Sequence, residues 1–88
     1  MLDAVKHKIV FFWLTHSYLR RIGKRYPEYF KHRINDLTDN LTTRKIMIMR
    51  YTGDTPLNFE TIAIDLNMDL RNVFKHHKKV IDKIISGP

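Results

Sequence analysis

Apolar residues recur along this chain at intervals of three and four, the spacing of a helical face, and rarely alternate as they would in a half-buried strand. The clearest case runs from Phe59 to Ile84. Phe59, Ile62, Ala63 and Leu66 form one short stripe, and Leu70, Val73, His77, Val80, Ile81 and Ile84 form a second. Asn67 lies between them and tolerates the left-handed backbone that closes a helix. Asp69 is placed as an N-cap, able to accept from the backbone N–H of Arg71 or Asn72. The pattern predicts two amphipathic helices joined by a turn of about three or four residues, the second of them basic: a helix-turn-helix.

The rest of the chain reads as three more helices. Leu2 to Ile22 carries two adjacent stripes: Val5, Ile9, Phe12, His16 and Leu19, then Val10, Phe11, Leu14, Tyr18 and Ile22. Its densest apolar run, Ile9 to Leu14, has six residues, too short for a secretory core or a bilayer span. An apolar surface this wide is more than one small neighbour covers, so the helix either sits centrally in the core or meets another subunit. A helix lying on a membrane surface is a third reading, given the basic flanks. Gly23 is expected to end it. A second helix is predicted from Pro27 to Thr38, with proline in its first turn and Phe30, Ile34 and Leu37 inward. A third begins in LTTRKIMIMRY, with Thr42 as the expected N-cap and Ile46, Met49, Met47 and Tyr51 inward. Read alone, IMIM suits a buried strand, but Arg44, Lys45 and Arg50 flank it and no pairing strand follows. Thr52 to Asn58 is a loop in which Gly53 caps the helix before and Asn58 the helix after. The final Ser-Gly-Pro reads as a frayed end or a foreign remnant. The expectation is one all-α domain of about five helices over residues 1–88, with N-terminal helices in 1–40 and the helix-turn-helix in 41–85, a tetrahelical type.

Composition narrows the function. With 88 residues the chain suits a single small domain, and one this size gains from a partner or a second copy. There is no cysteine, hence no disulfide frame and no thiolate metal site, which suits a cytoplasmic protein. The net charge is +7, from 16 Lys and Arg against 9 Asp and Glu. Arg71 to Lys83 alone holds five cations, two histidines and a single acid, Asp82. Such local concentration points to a polyanion rather than to a general solubility coat.

Residues 41–84 resemble a known pattern. Leu41, Thr42, Arg44, Ile48 and Met49 are similar to the L-T-x-R-x-x-x-V-L that opens both region four of bacterial sigma factors and the DNA-binding domain of LuxR-type regulators. Glu60, Ile62 and Ala63 resemble the E-x-I-A of the first helix-turn-helix element. Val73, His76, Val80, Lys83 and Ile84 resemble the V-x-x-H-x-x-x-I-x-x-K-L of the second. The loop at Thr52 to Asn58 is slightly longer than in the LuxR pattern, and neither a receiver domain nor a sigma region two accompanies it. By architecture, the chain is similar to small phage late-gene activators of the ArpU and RinA kind. The resemblance implies a DNA-binding transcriptional regulator in the host cytoplasm, with His76 structural at a helix interface.

The candidate DNA contacts follow from the helix face. Val73, Val80 and Ile84 turned inward leave Arg71, Lys75 and Lys78 outward. Arg71 suits a bidentate pair with guanine, and Asn72 suits adenine if it lies close enough. Lys75 and Lys78 suit base or phosphate, and Lys79 phosphate. Arg44 and Lys45 on the third helix are candidates for the DNA backbone. Phe74 suits packing against the N-terminal helices or, as the lesser reading, a thymine methyl. His76 and His77, adjacent on a helix, point about 100° apart and do not chelate together, so no metal is expected. Arg20, Arg21, Lys24 and Arg25 either extend the footprint or keep the helix end soluble. No carboxylate pair, nucleophile–base pair or phosphate loop is evident, and no enzyme or cofactor is expected. The predicted partners are double-stranded DNA, a second copy through the N-terminal helix, and RNA polymerase or another regulator, without a membrane. The alternatives are a protein-interaction module and a DNA-packaging subunit of the small-terminase kind.

Overall fold

A computed structural model describes the backbone of residues 2–53 and 57–86 and the side chains of residues 5–53 and 57–86. Among them are five helices and no strand. The first is a long rod: α1 (Leu2–Trp13) passes through a π-helical turn (Leu14–Tyr18) into α2 (Leu19–Arg25) with right-handed helical torsions at both junctions. There follow α3 (Pro27–Leu37), α4 (Leu41–Tyr51), α5 (Phe59–Asp65) and α6 (Leu70–Ser86). The middle of the predicted loop, residues 54–56, and the terminal Gly87 and Pro88 lie outside the described residues.

The π turn changes which side of the rod is buried. The Leu19 N–H reaches back to the Leu14 carbonyl, a five-residue step that inserts one residue into the helical count. The Thr15 hydroxyl donates to the Phe11 carbonyl at 2.9 Å where the helix widens. As a result Leu14 and Leu19 are each 5% exposed, whereas Tyr18 is 41% exposed and stacks on Trp13. Neither expected stripe is buried whole: Phe11, Leu14 and Ile22 of one and Leu19 of the other turn to the core, Tyr18 leaves it, and Val5, Ile9 and Phe12 stay in solvent.

Helix ends differ from expectation at two places. Gly23 does not terminate the rod; it is buried within α2, against the backbone of Tyr51. A Cβ there would overlap the Tyr51 carbonyl oxygen and stand 2.6 Å from its carbonyl carbon. Glycine is required by close approach, and the rod runs on to Arg25, where Pro27 starts the next helix. At α4 the N-cap is Asn40, not Thr42: the Asn40 side chain accepts from the Thr43 N–H at 3.0 Å. The other caps are as expected. Asn58 accepts from the Thr61 N–H at 2.8 Å, Asp69 from the Arg71 N–H at 3.2 Å, and Asn67 and Gly53 take positive φ values of 52° and 93°.

Two cores share α4 and α6. Ile46, Ile62, Ala63 and Val73 close the helix-turn-helix against Leu66, Met68 and Leu70. Met47, Tyr51, Val80 and Ile81, on other faces of α4 and α6, pack with Leu14, Leu19, Phe30 and Ile34 of the preceding helices. The first forty residues thus complete the core of the last forty-five rather than forming a separate unit.

Replacing Gly23 with alanine should force α2 off α4. A loss of about 2–3 kcal/mol is expected, the usual scale of overpacking. Urea unfolding followed by far-UV circular dichroism measures it, and an unchanged midpoint would mean that α2 does not seat on α4 as described.

Candidate nucleic-acid interface

Helix α6 is 17 residues long and strongly two-faced. Val73, His77, Val80 and Ile81 are buried, while Arg71, Asn72, Lys75, Lys78 and Lys79 are exposed on the opposite side. A 3.6-residue period puts Arg71, Lys75, Lys78 and Lys79 within one broad outward sector, with Asn72 at its edge. The single acid in that sector, Asp82, lies in the later half and meets the His7 Nε2 at 3.1 Å. The first three turns therefore present cations without a carboxylate among them.

The other candidates have different surroundings. Arg44 is engaged at the C-terminal end of α3: its Nε donates to the Thr38 carbonyl at 2.7 Å and its Nη2 to the Asn35 carbonyl at 3.1 Å. Lys83 does the same from α6, donating to the Leu37 carbonyl at 2.8 Å. Both cations satisfy the negative end of a helix. Lys45 is exposed on α4. Lys78 lies beside α1 and shares a shallow groove with His7, Phe11, Phe12 and His16. Phe74 is 46% exposed, and its ring meets Phe59 of α5 edge-on at 5.0 Å between centroids. Its aromatic partner comes from the helix-turn-helix and not from the N-terminal helices.

The scaffold behind this face is held by two polar links that the pattern of apolar positions does not reveal. Thr43 Oγ1 and His76 Nδ1 share a hydrogen bond of 2.6 Å between α4 and α6. Tyr51 and His77, both buried, meet at 2.6 Å between the phenol oxygen and Nε2. The signal for the second link was a histidine and a tyrosine within apolar stripes, since each buried polar tip needs a partner. Burial pushes the Tyr51 phenol up to about 12, against the opposing charge of Arg50. Burial also pushes His77 down to about 4, with the Arg50 charge adding to the effect. A protonated phenol and a neutral imidazole fit an O–H donating to Nε2.

Among the described residues, no group of three or more His, Asp or Glu is placed to hold a metal ion, and no helix is long and apolar enough to cross a membrane. No family model, no curated protein and no solved structure matches the chain.

His77 makes stability depend on pH. The unfolded imidazole binds a proton near 6.5 and the folded one only near 4. This contribution is complete above about pH 6.5 and is lost as the pH falls toward 4, a drop on the order of 3 kcal/mol. The double variant Tyr51→Phe, His77→Leu removes both polar tips together and should lose this part of the acid sensitivity. Urea midpoints of both proteins at pH 7 and pH 4.5 provide the check. Equal falls in the two would show that His77 takes up its proton freely in the folded state.

Proposed function

We propose that this chain binds double-stranded DNA through the exposed face of α6 and acts as a sequence-specific transcriptional regulator of the phage or mobile-element kind. The observation that carries this reading is the outward cluster of Arg71, Lys75, Lys78 and Lys79, with no carboxylate in the first three turns of the capped second helix of a helix-turn-helix. Arg71 lies in the first turn, where a recognition helix reaches base edges, and its fork suits guanine. Lys75 and Lys79, one turn apart, suit phosphates along one strand. Asn72 and Phe74 flank the sector and supply adenine pairing and a thymine-methyl contact. Arg44 supports the site from behind by fixing α3, and Lys45 is the cation of α4 left to meet the backbone. The resemblance of residues 41–84 to sigma region four and LuxR-type domains supports the same assignment.

A Lys75→Ala, Lys79→Ala double variant should bind every duplex more weakly. It should also reduce the slope of log affinity against log salt by about two, near 0.9 for each phosphate left unmet. Fluorescence anisotropy with a mixed duplex pool at several salt concentrations measures both. Unaltered affinity and slope would place DNA elsewhere on the molecule or rule it out.

One observation favours a protein partner in addition. Val5, Ile9, Phe12 and Trp13 are 52–63% exposed along α1, an apolar strip that small monomers seldom leave in water. We assign it to a homodimer, in line with the two-fold half-sites that helix-turn-helix proteins read. RNA polymerase or another regulator is the alternative occupant. Sedimentation equilibrium should give a dimer that Ile9→Asp, Phe12→Asp converts to a folded monomer. A monomeric parent protein would leave the strip to a different partner.

A further inference from the structure

Arg20, Arg21, Lys24 and Arg25 follow one another at the end of the rod, and all four are exposed. Arg20 with Lys24 and Arg21 with Arg25 are like-charge neighbours one helical turn apart, which weakens a helix. The C-terminal position of Lys24 and Arg25 compensates only in part. The ion pairs among the described residues join Lys31 to Glu28, Arg44 to Asp39 and His7 to Asp82, and none involves this cluster. The sequence holds no Asp or Glu between Asp3 and Glu28. On α4, burial pushes the Arg50 guanidinium below its ordinary pKa, with Tyr51 opposing the shift and the Arg20 charge adding a smaller part to it, and the Arg50 Nε is buried without a partner.

Packing links the helix that carries this cluster to α6 through α4 and α5. Gly23 holds α2, which carries Arg20, against Tyr51 of α4, the neighbour of Arg50 in sequence. The Arg50 guanidinium lies 4.4 Å from the centre of the Phe59 ring, and Phe59 meets Phe74 of α6. Along the rod, His16 shares the groove that contains Lys78, and Arg20 and Lys24 follow at successive turns. Cationic and imidazole side chains thus lead from the middle of α6 to the end of α2, with Asp82 paired to His7 at the α6 end of that path.

We propose that the Arg20–Arg25 cluster is a second nucleic-acid contact, gripping the sugar–phosphate backbone beyond the edge of the groove that α6 enters. The inference rests on the DNA-binding reading and adds a surface to it. The molecule measures 37 × 29 × 24 Å. Its longest dimension matches roughly eleven base-pair steps at ~3.4 Å each, so one copy reaches past a single groove. These four side chains touch phosphate and not bases, so they add affinity and carry no sequence information. A membrane surface suits the cluster less well. Leu19 is buried and Ile22 partly so, both packed into the core, and no aliphatic side chain of α2 is left to enter a bilayer.

The test compares the parent protein, Arg20→Gln/Arg21→Gln/Lys24→Gln/Arg25→Gln, and Lys75→Ala/Lys79→Ala on one duplex of about 30 base pairs across a salt series, with circular dichroism confirming the fold. The quadruple variant is expected to lose about tenfold or more in affinity at low salt. Its salt slope should fall by two to four, at about 0.9 per phosphate, while the sequence motif it selects is unchanged. If the quadruple variant is unfolded, Arg20→Gln/Lys24→Gln should lower the slope by about two. A folded variant whose slope equals the parent's, beside a reduced slope for Lys75→Ala/Lys79→Ala, overturns this proposal and leaves the α6 reading standing. No salt-dependent duplex binding by the parent overturns both. Parent binding to vesicles of phosphatidylserine and phosphatidylcholine that exceeds duplex binding, and that the quadruple variant loses, overturns it in favour of a membrane surface.

Discussion

Among the described residues, every helix meets at the buried pair of Tyr51 and His77. Their hydrogen bond joins α4 to α6. Phe11 of α1 and Phe59 of α5 approach the imidazole edge-on, at 6.0 and 4.9 Å between ring centres. Phe30 of α3 lies against the phenol at 5.8 Å, and Gly23 of α2 rests on the Tyr51 backbone. A neutral hydrogen bond contributes only about 1 kcal/mol net, but stranding either partner in this position costs about 1–3 kcal/mol and loosens packing on all sides. The pair acts mainly by specifying one arrangement: the rotation of α6 about its axis is fixed by where His77 must point. That rotation decides which residues face outward.

This dependence explains why the N-terminal helices matter to a face they do not form. A helix-turn-helix of the last forty-five residues alone has a core of Ile46, Ile62, Ala63 and Val73, and few domains that small hold together unaided. The faces of α4 and α6 that carry Met47, Tyr51, Val80 and Ile81 would be open to water. The rod and α3 close them. They also fix the outer edges of α6 through His7 with Asp82 and Leu37 with Lys83. The rod is therefore a wall of the same domain, and its other side, Val5, Ile9 and Phe12, is what remains after the inner side has been used.

The sequence made the elements legible because local signals and packing agree on them. Helix spans in α3 to α6, the caps at Asn58 and Asp69, and the inward sets of α4 and α6 could be read from periodicity and side-chain chemistry. The rod could not be read in the same way. A π turn inserts one residue, and strict 3.6-residue counting then groups Tyr18 with Leu14 and Ile22 where Leu19 belongs. Gly23 carries the ordinary signal of a helix end, and only the approach of Tyr51 gives it another use. Thr42 and Asn40 are both competent caps, and the backbone entering α4 chooses between them. Of the candidate face, the outward direction of Arg71, Lys75 and Lys78 was legible from the helical wheel alone. The engagement of Arg44 with α3, the meeting of Phe74 with Phe59 and the place of Lys78 beside α1 depend on helices distant in sequence.

The distribution of cations gives the charge of +7 its meaning. Arg44 and Lys83 are turned to the carbonyl end of α3, and Arg50 is held by the Leu57 carbonyl and the Phe59 ring. These three serve the fold itself. The remaining cations of α6 and those of α2 have no described carboxylate paired with them, and they form two dense clusters, while Lys6, Lys8, Lys31, Arg33 and Lys45 are spread over α1, α3 and α4. Self-repulsion of that kind lowers the stability of a small domain, and a coat meant only for solubility would disperse it. Concentrating it beside a rigidly oriented helix is favourable when a polyanion is the partner, because each phosphate met there releases counterions and relieves the repulsion at the same time.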